Sequence, residues 1–184
     1  MAKNGVLVAL SAMAETVHSK NRSVVCEQDV QDGQVFRLDS MSTDADKPEV
    51  FVATQPEVGK LNGLWMAYGF AQVRSKLSDT VTLTNEIADP RAYINNAGFV
   101  FDAFKPEKDD ILQMTAECFT GNFQQASTKY ANAEANSMSS KWGTTQTDNA
   151  LSVKYLKTTY ISIGTGSLAD LGRVPAYMVE VVAN

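Results

Sequence analysis

Hydrophobic and β-branched residues fall along this chain in short runs divided by turn-forming residues, a pattern that reads as strands. Ser23-Val24-Val25-Cys26 and Val35-Phe36-Arg37-Leu38 flank a polar middle, where the Asp32-Gly33 pair supplies a residue that tolerates positive φ. Residues 23 to 38 therefore predict strand, turn, strand, a first hairpin that opens a small barrel. The arrangement returns where the charged turn Lys105 to Asp110 precedes Ile111-Leu112-Gln113-Met114-Thr115, and the closing run Ala176 to Val182 adds a last strand. Further strands are expected at Gly5 to Leu10, Glu49 to Thr54, Val81 to Thr84, Ala92 to Ile94, Gly98 to Phe104, Leu151 to Leu156 and Thr158 to Ile163. In Phe99 to Phe104 both alternating faces are largely apolar, which predicts a strand buried on each side.

The expected fold is mainly β: a compact β-barrel or β-sandwich-like body with an extended N-terminal arm and long polar loops. Residues 1–22 read as the arm, expected to dock on a neighbour, with covering its own barrel as the alternative, and residues 23–184 as a single β-rich domain. Within that domain, residues 59–89 form a candidate sub-lobe. Residues 121–149, rich in Asn, Ser, Thr, Gln and Ala, read as an exposed excursion.

Composition narrows the function classes. A length of 184 residues suits one ordinary domain with a sizeable core. A formal net charge of −5 argues against a surface built to track a phosphate backbone, so nucleic acid is not an expected partner. No apolar run approaches the roughly 20 residues of a membrane-spanning helix. The N-terminal order of Lys3, a short apolar stretch and Ala12-Met13-Ala14 imitates a signal peptide, but Gly5 interrupts it and export is not expected. Asn21-Arg22-Ser23 matches the glycosylation tripeptide, which matters only on a secretory route.

Reactive chemistry is sparse. Cys26 and Cys118 each lie in an apolar run without metal-ligand spacing, so two buried thiols are expected, a Cys26–Cys118 disulfide being the alternative. His18 is the single histidine and has no serine or cysteine at motif spacing. Asp44, Asp46 and Glu49 read as a solvated acidic loop, since the glycine and terminal glutamate of a calcium loop are absent. Gly164-Thr165-Gly166-Ser167 lacks the lysine of a phosphate-cradling loop. Asp109 and Asp110 invite an acid–base reading, yet neighbouring strand residues face opposite sides, and turn-capping is the better account. No catalytic residue, cofactor or metal is expected.

The segment Leu64-Trp65-Met66-Ala67-Tyr68-Gly69-Phe70 concentrates aromatics between glycines and is assigned to core or subunit interface, with carbohydrate contact as the alternative. Taken in order, MAKNGVLVALSAMAE, SVVCEQDVQDGQVFRL, KPEKDDILQMTAECF and the closing ISIG and RVPAYMVEVVAN resemble head-decoration, or cement, proteins of tailed bacteriophages. The resemblance covers about half the chain and implies a β-barrel-like body with an N-terminal arm, attached to the outer surface of a virion capsid. It implies the major capsid protein and further copies of the chain as partners. Interface anchors would be Trp65, Tyr68, Phe70 and the arm residues Val6, Leu7 and Leu10, because aromatic and apolar side chains carry most contact energy. The aromatic segment and the polar excursion also put a head-fibre-like module that binds host glycan in contention.

Overall fold

Three consecutive pairs of residues organise the molecule: Val35 with Phe36, Met66 with Ala67, and Ala103 with Phe104. Side chains alternate across a strand, so each pair sends one member to each face of the same sheet. In the computed structural model both faces are covered, one by a barrel interior and the other by a second sheet. The structure describes residues 7–9, 20–47, 49–68, 74–78, 81–84, 91, 94–120, 128–130, 142–143, 150–164 and 171–184.

The strands are β1 (Leu7–Ala9), β2 (Asn21–Val25), β3 (Val35–Met41), β4 (Phe51–Thr54), β5 (Trp65–Ala67), β6 (Arg74–Ser78), β7 (Val81–Thr84), β8 (Val100–Phe104), β9 (Ile111–Thr115), β10 (Thr128–Tyr130), β11 (Ser152–Gly164) and β12 (Leu171–Ala183). The fold is thus mainly β. Strands β2, β4, β3, β5 and β8 close into a barrel, and β1, β9, β12, β11 and β10 form an open sheet in that order. Strands β6 and β7 pair separately as a two-stranded sheet.

Barrel closure corrects the expected first hairpin. Strands β2 and β3 are not partners: β4 lies between them, parallel to β2 and antiparallel to β3. On its other side β2 runs antiparallel to β8, with Val25 opposite Val100 and Asn21 opposite Phe104. The polar middle spends its backbone groups elsewhere. Cys26 O accepts from Gly98 N at 2.8 Å, Val30 and Asn95 exchange bonds of 2.9 and 2.8 Å, and Gly33 N donates to Ala67 O at 3.0 Å. The turn itself forms, with Gly33 at φ 79°.

The barrel interior holds Val24, Cys26, Val30, Phe36, Ala53, Ala67, Phe101 and Ala103, with Phe36 and Phe101 edge to face at 5.8 Å. On the opposite side of the shared wall, Val35, Met66 and Phe104 are direct register partners and fully buried. They pack with Leu112 and Met114 of β9, Val179 and Val181 of β12, Val153 of β11, and Trp142. Each such side chain is worth about 1.5–3 kcal/mol relative to exposure.

Gly33 and Trp142 clasp the two bodies together. The Trp142 ring nitrogen donates to Gly33 O at 3.2 Å, while its backbone bonds to Cys118 and Thr120. A Cβ on Gly33 would stand 3.0 Å from the Cys118 sulfur and 3.2 Å from Met114 Cε, so the positive φ and the close approach both require glycine. Trp142 is the largest fully buried side chain among the described residues, and Lys129 is buried too, its ammonium donating to Thr120 O. The stretch expected to be an exposed excursion therefore delivers core, because a single large aromatic outweighs its polar surroundings.

Other expectations shift. Strand β8 is not buried on each side: Phe101, Ala103 and Phe104 are inside, but Val100 and Asp102 are exposed. The two candidates at 151–156 and 158–163 are one strand, β11, kinked by a register shift between Tyr155 and Lys157. The candidate sub-lobe divides, β5 joining the barrel and β6 pairing with β7. Asn21 and Arg22 belong to the barrel rather than to an arm, and Leu7, expected to reach a neighbour, is paired with Met114 of its own chain. Ile94 is not in a strand, and Ala92 and Tyr93 lie outside the described residues. Cys26 and Cys118 are both reduced and buried, in separate cores.

Two substitutions test the clasp by urea unfolding. Trp142→Ala is expected to cost about 3–5 kcal/mol. Gly33→Ala is expected to cost about 1–3 kcal/mol from backbone strain and overpacking together; wild-type stability in both variants would remove the clasp from the account.

Candidate interaction surfaces

The inward residues of the barrel dictate what its outer wall shows. Val24, Ala53 and Phe101 point inside, so the next residue of β2 and the preceding residues of β4 and β8 point out: Val25, Val52 and Val100. Val25 is the register partner of both Val52 and Val100, which places three outward valines side by side across β4, β2 and β8. Phe99, just ahead of β8, is 63% exposed, and Val100 is 46% exposed. Phe99 is held by a turn, its N–H donating to Asn96 O at 3.1 Å. Lys47 reaches over from the preceding loop to Gly98 O at 2.9 Å.

Carboxylates border this row. Asp102 stands on the outer face two residues from Val100, and Glu49 lies two residues ahead of β4; both are exposed. Past the other end of β2 come exposed Glu27 and Asp29, the latter accepting from Ala97 N at 2.9 Å. The nearby cation Lys47 already faces Asp44 at 3.6 Å. The wall is therefore apolar at its centre and acidic at its rim.

A second surface lies on the hairpin of β11 and β12. Pairing of β12 with β9 ends at Ala176 opposite Thr115, and pairing of β10 with β11 covers only Ser152 to Lys154. Beyond those points β11 and β12 continue together to Gly164 opposite Leu171, as a ribbon that runs past both neighbours. On β12 the face that buries Val179 and Val181 continues through Tyr177 to Pro175 and Arg173. Tyr160 is the register partner of Pro175 and is 57% exposed. Pro175 and Arg173 are exposed as well; exposed Lys154 and Lys157 lie on the opposite face, back where β12 still pairs with β9, and Lys154 stands opposite Glu180. Edge cations and a proline discourage indiscriminate strand pairing here.

The expected anchors are placed differently. Trp65 turns toward the barrel interior, where the Arg22 guanidinium lies between it and Phe51, 5.7 and 5.5 Å from the ring centres. Tyr68 packs on the other core, edge to face with Phe104 at 5.6 Å. The two rings pack against different cores and do not form a common platform. Val6, Leu10 and Phe70 lie outside the described residues, and Leu7 is described in its backbone pairing alone.

Of the chemistry weighed in the sequence, Asp110 is a turn cap: its carboxylate accepts from Glu107 N at 2.8 Å, and its backbone pairs with Val181. Asp109 adopts φ 74° in the same turn. Among the described residues no cluster of histidine, cysteine and carboxylate groups suited to a metal ion occurs, and no helix is long and apolar enough to cross a membrane. The valine row was legible only by alternation from its buried neighbours, and Tyr160 by its pairing with a strand proline. Comparison with protein-family models, with curated proteins and with solved structures gives no match to this chain.

Burial pushes the Cys26 thiol above its ordinary value, and the nearby charge of Glu27 adds to the rise, against a lowering contribution from the Gln28 N–H. The fold thus favours the neutral thiol, so this contribution to stability is full below the ordinary thiol pKa and fades as pH rises above it. At mildly alkaline pH Cys26 is expected to resist a disulfide reagent in the native protein and react on unfolding in urea; rapid native-state labelling, mapped to Cys26 by mass spectrometry, would contradict this placement.

Proposed function

We propose that this chain is an auxiliary capsid protein, binding the outer surface of an assembled bacteriophage shell and stabilising it. Its partner in this reading is the major capsid protein, its location the virion, and its work adhesion rather than catalysis. The observation that carries the reading is the pair of separated adhesive surfaces on one two-core body: the valine row with Phe99, and the ribbon with Tyr160. A fastener must hold neighbours at fixed geometry, so it gains from strands that are stiffened by packing on both faces. It also needs exposed apolar groups beyond its own core, since contact area repeated by symmetry resists expansion of a shell. The resemblance in the order of the sequence segments agrees with this reading and supplies the phage shell as the target.

Purified protein mixed with mature heads is expected to co-sediment with them and to raise the temperature at which they rupture, with little binding to unassembled capsid subunits. Equal binding to heads and subunits, or heads that rupture at an unchanged temperature when coated, would contradict the proposal.

A further inference from the structure

We infer that one mouth of the barrel, at the end of β2 away from Val25, binds a carboxylate-bearing sugar, a function separate from the two adhesive surfaces. The ladder of β2 and β8 runs one pair beyond Asn21 and Phe104, since Lys105 N donates to Lys20 O at 2.9 Å. Register partners share a face, so Lys20 and Lys105 stand on the same side as Arg22 and Ala103, the side of the barrel interior. The ladder of β5 and β8, taken one pair past Met66 and Phe104, sets Trp65 beside Lys105. Lys20, Lys105 and Trp65 thus make a row across three strands. Arg22 is the next inward residue of β2, its guanidinium over both Trp65 and Phe51.

In a chain of net charge −5, this mouth gathers three half-buried cations, Lys20, Arg22 and Lys105. Glu107 engages Lys20 at 2.7 Å, and Arg22 is held by Asn21 O at 2.8 Å and by the two rings. The Lys105 ammonium makes no ion pair or hydrogen bond among the described residues. Like charges directly opposite each other, as on Lys20 and Lys105, cost stability, and a carboxylate received by Lys105 offsets that cost. The rings name the rest of the ligand. Trp65 and Phe51 keep part of their surface in solvent, where they can pack on the C–H face of a sugar, and Arg22 fixes their orientation. Phe36, Phe101, Val24 and Ala67 fill the barrel behind them, so the sugar rests on the end of the barrel rather than inside it. Glu107 and Asp109, exposed in the turn after Lys105, disfavour a dense polyanion such as a nucleic-acid backbone. A single terminal acidic sugar meets all of these conditions.

Titration of the full chain with glucuronate, followed by tryptophan fluorescence at constant ionic strength and with no shell present, tests this separately from shell binding. Trp65 lies at the mouth and Trp142 is fully buried in the other core, so a change reports on the mouth. The wild type is expected to give a saturable change with glucuronate. Glucose and acetate should each bind at least about tenfold more weakly, because ring and charge act together. Lys105→Ala is expected to weaken glucuronate about tenfold while Lys105→Arg keeps it, and unchanged circular dichroism confirms that both variants fold. No saturable change with glucuronate, an equal response to glucose or acetate, or wild-type binding by Lys105→Ala would each overturn the inference. So would tighter binding of a short oligodeoxynucleotide or of an oligoglutamate peptide, which would give the mouth to another class of ligand.

Discussion

One row of side chains, Val35, Met66 and Phe104, makes the barrel and the open sheet a single body. The row lies on the outside of the barrel and the inside of the second core at once. Its neighbours in sequence, Phe36, Ala67 and Ala103, fill the barrel from the other face. Removing either layer would expose one face of β3, β5 and β8 to water. Exposure of the row alone would cost several kcal/mol, at about 1.5–3 kcal/mol per side chain, a sizeable part of the stability of an ordinary domain. Gly33 and Trp142 lock the same junction from its edge, with a hydrogen bond that also satisfies the buried indole. At the opposite end the Asn184 side chain gives and takes bonds with the backbone of Leu64 and donates to Pro106 O, joining β12 to the segment that leads into β5.

Much of this was legible locally and little of it at a distance. Strand-forming runs at residues 35–38, 51–54, 81–84, 111–115 and 176–182 appear as strands because alternation and turn chemistry act over a few residues. The Asp32-Gly33 turn and the capping role of Asp110 follow from the same short-range rules. Pairing was another matter. Adjacent strands usually pair, yet β2 chooses β4 and β8, because closing the barrel brings a parallel partner between β2 and β3. Strand β8 misleads in a different way. Its apolar residues on both faces suggested full burial, but Val100 is on the surface, and apolar atoms on a surface are common enough that hydrophobicity alone does not place a residue inside. Trp142 was hidden by its company, since a segment dominated by Asn, Ser and Thr reads as solvent-exposed until one large ring finds a hole. The aromatic anchors failed for a geometric reason: Trp65 and Tyr68 are three residues apart, an odd number in a strand-like segment, and so they face opposite interiors.

The functional reading inherits that architecture. A barrel interior filled by side chains leaves few inward positions for a ligand, and strand pairing gives the outward positions a fixed spacing. Val52, Val25 and Val100 are held in line by backbone pairing rather than by flexible loops, and Tyr160 and Pro175 are held opposite each other in the same way. In the proposed reading, such surfaces meet another macromolecule through shape and charge. Their usefulness depends on the body beneath them staying intact as a unit.

That dependence can be measured with the two tryptophans, since Trp65 reports on the barrel interior and Trp142 on the second core. In each of two single-tryptophan variants, Trp65→Phe and Trp142→Phe, the urea transition followed by the remaining indole is compared with that followed by far-ultraviolet circular dichroism of the same variant. A shared wall predicts that the two curves coincide in both variants, in one cooperative step. A tryptophan signal that is lost while a substantial part of the strand signal persists, in either variant, would mean that the barrel and the open sheet unfold independently.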